Sequence, residues 1–160
     1  MIRGVALYEE AFWRRDGLGG DAWGTGLPFS FTHDVSPESG TPGVMAVFFL
    51  GERARRLRRL DASGRRRTTL DALASCFGGR AERPLAYYAR DWNEDPWARG
   101  GYSANAAPGV WTAHGSTLRE PAGRVVWAGS ETASEYVGYM EGALESGERA
   151  AAEALEMIAS

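Results

Sequence analysis

An α+β fold is predicted from three features of the chain. These are the continuously apolar, β-rich run "VMAVFFL" at 44–50, a pair of amphipathic helical segments within 52–77, and a closing order of short strand, glycine turn and long helix over 124–160. Length and composition agree: 160 residues, 44% hydrophobic and 24% charged, suffice to bury a core and are too apolar for a disordered chain.

Taken in order, "RGVALYEEAFW" opens with an apolar run suited to a strand. The glycines and prolines of "GLGGDAWGTGLPFSFTHDVSPESGTPG" then punctuate a meander of short strands and turns. The 44–50 run has no polar position, the pattern of a strand covered on both faces, and is expected at the centre of a sheet. Ala54, Leu57, Arg58 and Leu60, and then Leu70, Leu73, Ala74 and Phe77, trace two short helices separated by "DASGRRR", with the other arginines mostly outward. "LAYYARDW" is a further strand and runs into the loop "NEDPWARGGYSANAAPGVW". "GRVVWAG" is a last short strand ended by glycine. After it, Thr132 and Glu135 have capping-box spacing, and Val137, Met140, Leu144, Gly147, Ala151, Leu155 and Ile158 form the expected buried stripe of a long helix. Strand, tight turn and helix in that order put a helix N-terminus, with free N–H groups and a positive dipole end, where cofactors bind in α/β sheets.

Several function classes are excluded or weakened. All 18 basic residues are arginine, which removes lysine chemistry. Eight of them fall within 53–67, whereas 131–160 carries seven acids against Arg149 alone. A net charge of −3 argues against a general nucleic-acid binder, and the arginine cluster reads first as a solvated helical face. Cys76 is the only cysteine and His33 and His114 are scattered, so neither an intrachain disulfide nor a metal site is expected. No run reaches the roughly 18 to 20 apolar residues of a membrane span, and Glu9 and Glu10 interrupt any signal-type segment, so a cytoplasmic location is expected. "GLGGDA" matches a relaxed dinucleotide pattern but follows the charged "WRRD" and runs into "WGTGLP", where a phosphate-binding helix should start. Neither a P-loop, nor HExxH, nor a nucleophile elbow occurs.

The tail "GSETASEYVGYMEGALESGERAA" places small residues at Gly138, Gly142, Ala143, Ser146, Gly147 and Ala150, although glycine in a helix interior costs about 1 kcal/mol relative to alanine. Something must approach that backbone closely. With "WAG" before it, this segment resembles the C-terminal part of flavin-containing monoamine oxidases. The resemblance extends through "YEEAFWRRDGLGG", the helical pair and "RDWNEDPWARGGYSANAAPGVWTAHGSTLREPAGRV", essentially the whole chain.

The resemblance implies a partial substrate-binding domain over 1–90, with a mixed sheet and flanking helices, and the last strand and helix of the FAD-binding domain over 91–160. It implies FAD as cofactor, with Gly129, Ser130 and Met140 meeting it, Trp92 beside the flavin, and the small-residue helix face packed on the ring. Tyr102 and Tyr139 match the aromatic pair flanking the substrate amine. An apolar aromatic cage disfavours the ammonium form, and the neutral amine is the form that gives up a hydride equivalent. The family's reaction takes an amine and O2 to an imine, then a carbonyl compound, and hydrogen peroxide.

Three departures accompany the match. The glycine-rich unit that holds the ADP part of FAD is absent from these 160 residues, so the chain alone is expected to be inactive. Gly101 stands where some members attach FAD through cysteine, which implies noncovalent binding. Arg3 stands where the family has a lysine hydrogen-bonded through water to the flavin, so oxygen reactivity is open to change. Three readings follow: part of a longer reading frame, a subunit completed in trans by an FAD-binding half, or a non-catalytic relative. An Arg-rich interaction module using 53–67 is the alternative outside enzymology.

Overall fold

The structure, a computed structural model, describes residues 1–101 and 106–159, in two units, Met1–Gly101 and Tyr102–Ser160. Period-two alternation organises the first. In β1 (Ile2–Tyr8), Ile2, Gly4, Ala6 and Tyr8 are buried on one side while Arg3, Val5 and Leu7 lie on the other. β1 pairs antiparallel with β3 (Gly43–Phe49) and with β4 (Ala86–Asp91), and β3 pairs with β2 (Phe31–Asp34). The sheet order is β2-β3-β1-β4, so the 44–50 run is internal, as expected, with Met45, Ala46, Val47 and Phe49 buried.

Helices α2 (Gly51–Arg58) and α3 (Ala62–Phe77) supply Ala54, Leu57, Leu70, Leu73 and Phe77 to a core shared with Ile2, Met45, Val47 and Phe49. Each large side chain buried there contributes about 1.5–3 kcal/mol. The short helix α1 (Phe12–Arg15) adds Phe12 and Trp13, which meet Tyr8 edge to face, and the Trp13 indole donates to Asp34 at 2.8 Å. The α+β class is therefore borne out.

α3 is longer than its pattern suggested. Asp61 accepts a hydrogen bond from the Gly64 N–H at 2.7 Å, so "DASGRRR" is a cap and first turns instead of a separator. A cap of this kind is worth about 1 kcal/mol, enough to offset an early glycine. The arginine cluster is mostly solvated, as expected, with Arg55, Arg56, Arg59, Arg66 and Arg67 exposed, although several members make specific contacts. Arg53 donates to the Gly24 and Leu27 carbonyls, Arg58 to Asp91, and Arg65 to the Arg58 and Leu60 carbonyls; Arg55 and Arg56 pair with Glu52, and Arg66 lies over the Tyr87 ring. Arg53, Arg58 and Arg65 fasten α2 and α3 to their surroundings, whereas Arg55 and Arg56 pair only within α2.

The second unit contains α4 (Val110–His114), single 3₁₀ turns at Gly115–Leu118 and Ser130–Thr132, and α5 (Met140–Ala159). Three expectations are corrected here. "GRVVWAG" forms no strand: Ala122 and Val125 make one bridge across a tight turn, and among the described residues no second strand offers these residues a ladder. Thr132 and Glu135 are not a capping box, because the helix starts at Met140 and the Thr132 hydroxyl donates to the Gly129 carbonyl at 2.9 Å. The apolar stripe of α5 is not buried within the unit. Met140, Leu155 and Ile158 are 86%, 68% and 76% exposed, and the buried residues of the helix are Gly142, Ser146 and Ala150.

Candidate functional site

Part of the small-residue face of α5, at Gly142, Ser146 and Ala150, is covered by the chain itself, while Ala143 is exposed and Gly147 faces open space. A side chain added at Gly142 would collide with the Tyr136 carbonyl oxygen and lie 2.9 Å from the Ala133 Cβ. Residues 133–136 thus press against the helix where flavin packing was expected. Ser146, fully buried, accepts from the Gly129 N–H at 3.0 Å and donates to the Ala143 carbonyl at 2.9 Å. Arg149 reaches the Trp127 carbonyl at 2.8 Å and the Thr132 hydroxyl at 3.1 Å, and pairs with Glu153. Glu145 accepts from the Ser134 and Glu135 N–H groups, which hold its carboxyl below the usual glutamate range. Arg119 bonds the Ala133 carbonyl and the Ser134 hydroxyl.

These contacts fix two of the expected positions against a third. Gly129 has φ 153° and ψ 154°, a conformation essentially reserved for glycine, and turns the chain into Ser130. The Ser130 carbonyl accepts from Gly138 at 3.4 Å, and Tyr139 donates to the Tyr136 carbonyl at 3.0 Å. Gly129, Ser130 and the 138–140 turn are therefore brought together at the N-terminal end of a 20-residue helix. Met140 and Tyr139 are exposed there, and among the described residues no hydrogen bond engages the Met140 or Glu141 N–H. Such an end carries partial positive charge and free donors, and is suited to an electron-rich heteroaromatic edge. In that respect the residues present fit the isoalloxazine part of FAD.

Trp92 lies in the first unit. It is half-buried, its N–H donates to the Met1 carbonyl at 3.0 Å, and the Arg90 guanidinium lies 5.1 Å from its ring centre. The preceding Asp91 is buried and receives both prongs of Arg58, at 2.5 and 3.0 Å. Burial alone would raise the Asp91 carboxyl, but the Arg58 fork and Asn93 override it and hold it at about 2. This pair fixes the end of β4 before Trp92. Tyr102 lies outside the described residues.

Sequence reasoning missed Ser146, Glu145 and Arg149 as the groups holding the Gly129 turn. The one available signal was Arg149, the single base among seven acids in 131–160. It also missed Asp91, whose signal was Arg58 at an inward helix position. No cluster of histidine, cysteine and acids able to hold a metal occurs among the described residues, nor any helix long and apolar enough to cross a membrane.

The profile of the flavin containing amine oxidoreductase family matches residues 4–155, and the chain belongs to that family. It is 41% identical over 158 residues to a Mycobacterium tuberculosis chain assigned as the flavin-containing monoamine oxidase AofH, covering 99% of this chain and 34% of that one. It is 37% identical over 161 residues to flavin-containing amine oxidase B of Sus scrofa, covering 99% and 31%. A double mutant of putrescine oxidase redesigned at its cofactor site superposes with a TM-score of 0.87 at 33% identity, over 97% of this chain and 34% of that one. The chain spans about a third of the length of these relatives. The family is one of flavoproteins that use FAD.

Proposed function

We propose that this chain supplies the amine-facing aromatic wall and one cofactor-facing helix end of an FAD-dependent amine oxidase. Support comes from the Gly129–Ser130 turn, which Ser146 and Arg149 hold beside the exposed start of α5. In this reading Gly129, Ser130 and Met140 face the cofactor, Trp92 lies beside it, and Tyr102 and Tyr139 flank the amine. Residues 1–90 belong to the substrate-binding domain and 91–160 to the FAD-binding domain. FAD, when bound, supplies the two-electron acceptor for the amine Cα–H bond. Tyr139 and Tyr102 exclude water from the amine and favour its neutral form, while the α5 N-terminus stabilises negative charge without a charged side chain. The overall reaction takes an amine and O2 to an imine, which hydrolyses to the carbonyl compound, and hydrogen peroxide.

The sequence contains no glycine-rich phosphate-binding unit, so the proposal assigns the ADP part of FAD to a further half, in the same polypeptide or in trans, and makes binding noncovalent. A cytoplasmic setting, with the single thiol unpaired, belongs to the same proposal.

Anaerobic stopped-flow flavin reduction, in a protein completed by co-expression with a family FAD-binding half, tests this reading. Tyr139→Ala should lower kcat/KM for a primary amine by roughly tenfold to a hundredfold, about 1.4 to 2.7 kcal/mol, with FAD still bound. Tyr136, 63% exposed against 71% for Tyr139 and likewise before the start of α5, is the control. Unchanged reduction in Tyr139→Ala with reduction abolished in Tyr136→Ala would place the cage elsewhere.

A further inference from the structure

A recess of about 560 Å³ opens within the first unit, between the loop at 25–28 and α2, with Leu60 and Thr68 completing its lining. Its volume falls in the range of small-molecule sites, roughly 300–1,000 Å³. The wall is apolar at Leu27, Leu57 and Leu60, and Leu60 is 39% exposed although it is a large aliphatic residue. The loop is tethered across it: Arg53 donates from Nε to the Leu27 carbonyl at 3.2 Å and from Nη2 to the Gly24 carbonyl at 3.0 Å. The recess is therefore formed before any ligand arrives.

Its polar groups are mostly donors. Two arginines, Arg53 and Arg56, line it against one acid, Glu52. Because the loop takes Nε and Nη2 of Arg53, its Nη1 has no acceptor among the described residues. Arg56 reaches Glu52 through Nε alone, at 3.3 Å, and its Nη1 and Nη2 are unengaged among the described residues. Glu52 also holds Arg55, at 2.8 Å, so turning Arg56 away strands no carboxylate, and an exposed pair of this kind resists little. Thr69 satisfies its hydroxyl on the Arg65 carbonyl at 2.8 Å, whereas no hydrogen bond engages the hydroxyl of Thr68, which lines the recess, among the described residues. A helical threonine ordinarily bonds the carbonyl one turn back, so this hydroxyl is a spare partner.

We infer that the recess is a binding site for a monoanionic aliphatic amphiphile, a carboxylate carried on a medium-length hydrocarbon chain. The Arg56 fork suits a carboxylate through two parallel N–H bonds, with Arg53 Nη1 and the Thr68 hydroxyl as further donors, and the hydrocarbon covers Leu27, Leu57 and Leu60. One excess positive charge balances a monoanion. A phosphate dianion meets Glu52 and leaves the apolar wall unfilled, and a cation meets two guanidinium groups. A free amphiphile suits this shape better than a membrane surface, because the apolar side chains wall a recess. Every residue of the site belongs to the first unit, so its occupancy is independent of the amine-oxidase reading.

Octanoate is titrated into the 160-residue chain, below the concentration at which it forms micelles, and methyl NMR shifts of Leu27, Leu57 and Leu60 are followed at constant ionic strength. Octanol, octylamine and inorganic phosphate are run in parallel. The expected result is a saturable shift with octanoate, with octanol and octylamine at least about tenfold weaker and phosphate without effect. Affinity should fall about tenfold or more in Arg56→Gln, be partly retained in Arg56→Lys, and fall about threefold to tenfold in Leu60→Ser. Arg56 and Leu60 are exposed, so the variants should keep the fold, and unchanged methyl shifts of the buried Val47 and Leu73 check this. The inference is overturned by octanol or octylamine binding as tightly as octanoate, by phosphate producing the same shifts, or by equal affinity in Arg56→Gln. It is overturned equally by shifts confined to the α5 residues Leu144 and Leu155, by sedimentation with anionic phospholipid vesicles in place of saturable octanoate binding, or by no saturable shift at all.

Discussion

The two units are held together in different ways. Within Met1–Gly101, Trp13, Phe29, Met45, Phe49 and Leu73 are fully buried and two helices cover one side of a sheet. Within 106–159, every buried residue is small: Thr132, Ala133, Gly142, Ser146 and Ala150. Its large apolar residues Met140, Leu144, Leu155 and Ile158 are exposed, and its order comes from polar contacts centred on Ser146, Glu145 and Arg149. A hydrophobic core stabilises the first region; hydrogen bonds and close backbone contact hold the second. Burial of the α5 stripe is left to whatever packs on it, and apolar patches of that kind mark interaction surfaces.

The sharpest break in this comparison is a matched pair of truncations. Phe49→Ala should cost about 3–5 kcal/mol in denaturant unfolding, whereas Leu155→Ala should stay within about 0.5 kcal/mol, because it removes a side chain that buries little. Equal losses would mean that both units share one kind of core. A smaller effect is expected at Gly142. Gly142→Ala forces the Tyr136 carbonyl and Ala133 away from α5 and should destabilise the turn by about 1–3 kcal/mol. Amide exchange at Gly129 should accelerate in step, while amides of β1 and β3 keep their protection.

Acid sharpens the contrast from the other side. Asp34 and Asp91 both belong to the first unit and are held at about 2; in each, burial acts upward and is overridden by hydrogen bonds, from Arg14, Ser36 and Trp13 to Asp34 and from Arg58 and Asn93 to Asp91. A carboxyl depressed on folding stabilises the folded state above its ordinary value, 3.8, and that contribution is lost as pH falls toward about 2. Unfolding of the sheet should therefore steepen across that window. Asp91→Asn should cost about 2 kcal/mol at neutral pH and flatten the acid limb. An unchanged acid limb in this variant would assign the acid response to other groups.

The same contrast explains what was legible in the sequence. The internal strand at 44–50 and the inward positions Leu57, Leu70 and Leu73 could be read because hydrophobic burial within the unit dictates them. The tail misled the same method: its stripe at Met140, Leu144, Leu155 and Ile158 has helical period, but period reports that a face is apolar, not what covers it. The helix starts seven residues later than a cap at Thr132 implies, at Met140, because a hydroxyl with a following acid also suits a 3₁₀ turn, the form Ser130–Thr132 takes. "GRVVWAG" has strand composition, but strand formation needs a ladder that the described residues do not provide. The glycine turn at Gly129 was legible from its place after an apolar run, while Ser146 and Arg149, which hold it, act through tertiary contacts that no local pattern announces.

The central claim is that this chain brings a helix end and an aromatic wall to an FAD site whose phosphate-binding part lies elsewhere. Flavin content after purification tests it most directly, with the 160-residue chain expressed alone and together with a family FAD-binding half. The account predicts a colourless chain alone and flavin absorbance at stoichiometric occupancy in the co-expressed complex. A yellow, stoichiometrically loaded chain alone, or a co-purified complex without flavin, would contradict it.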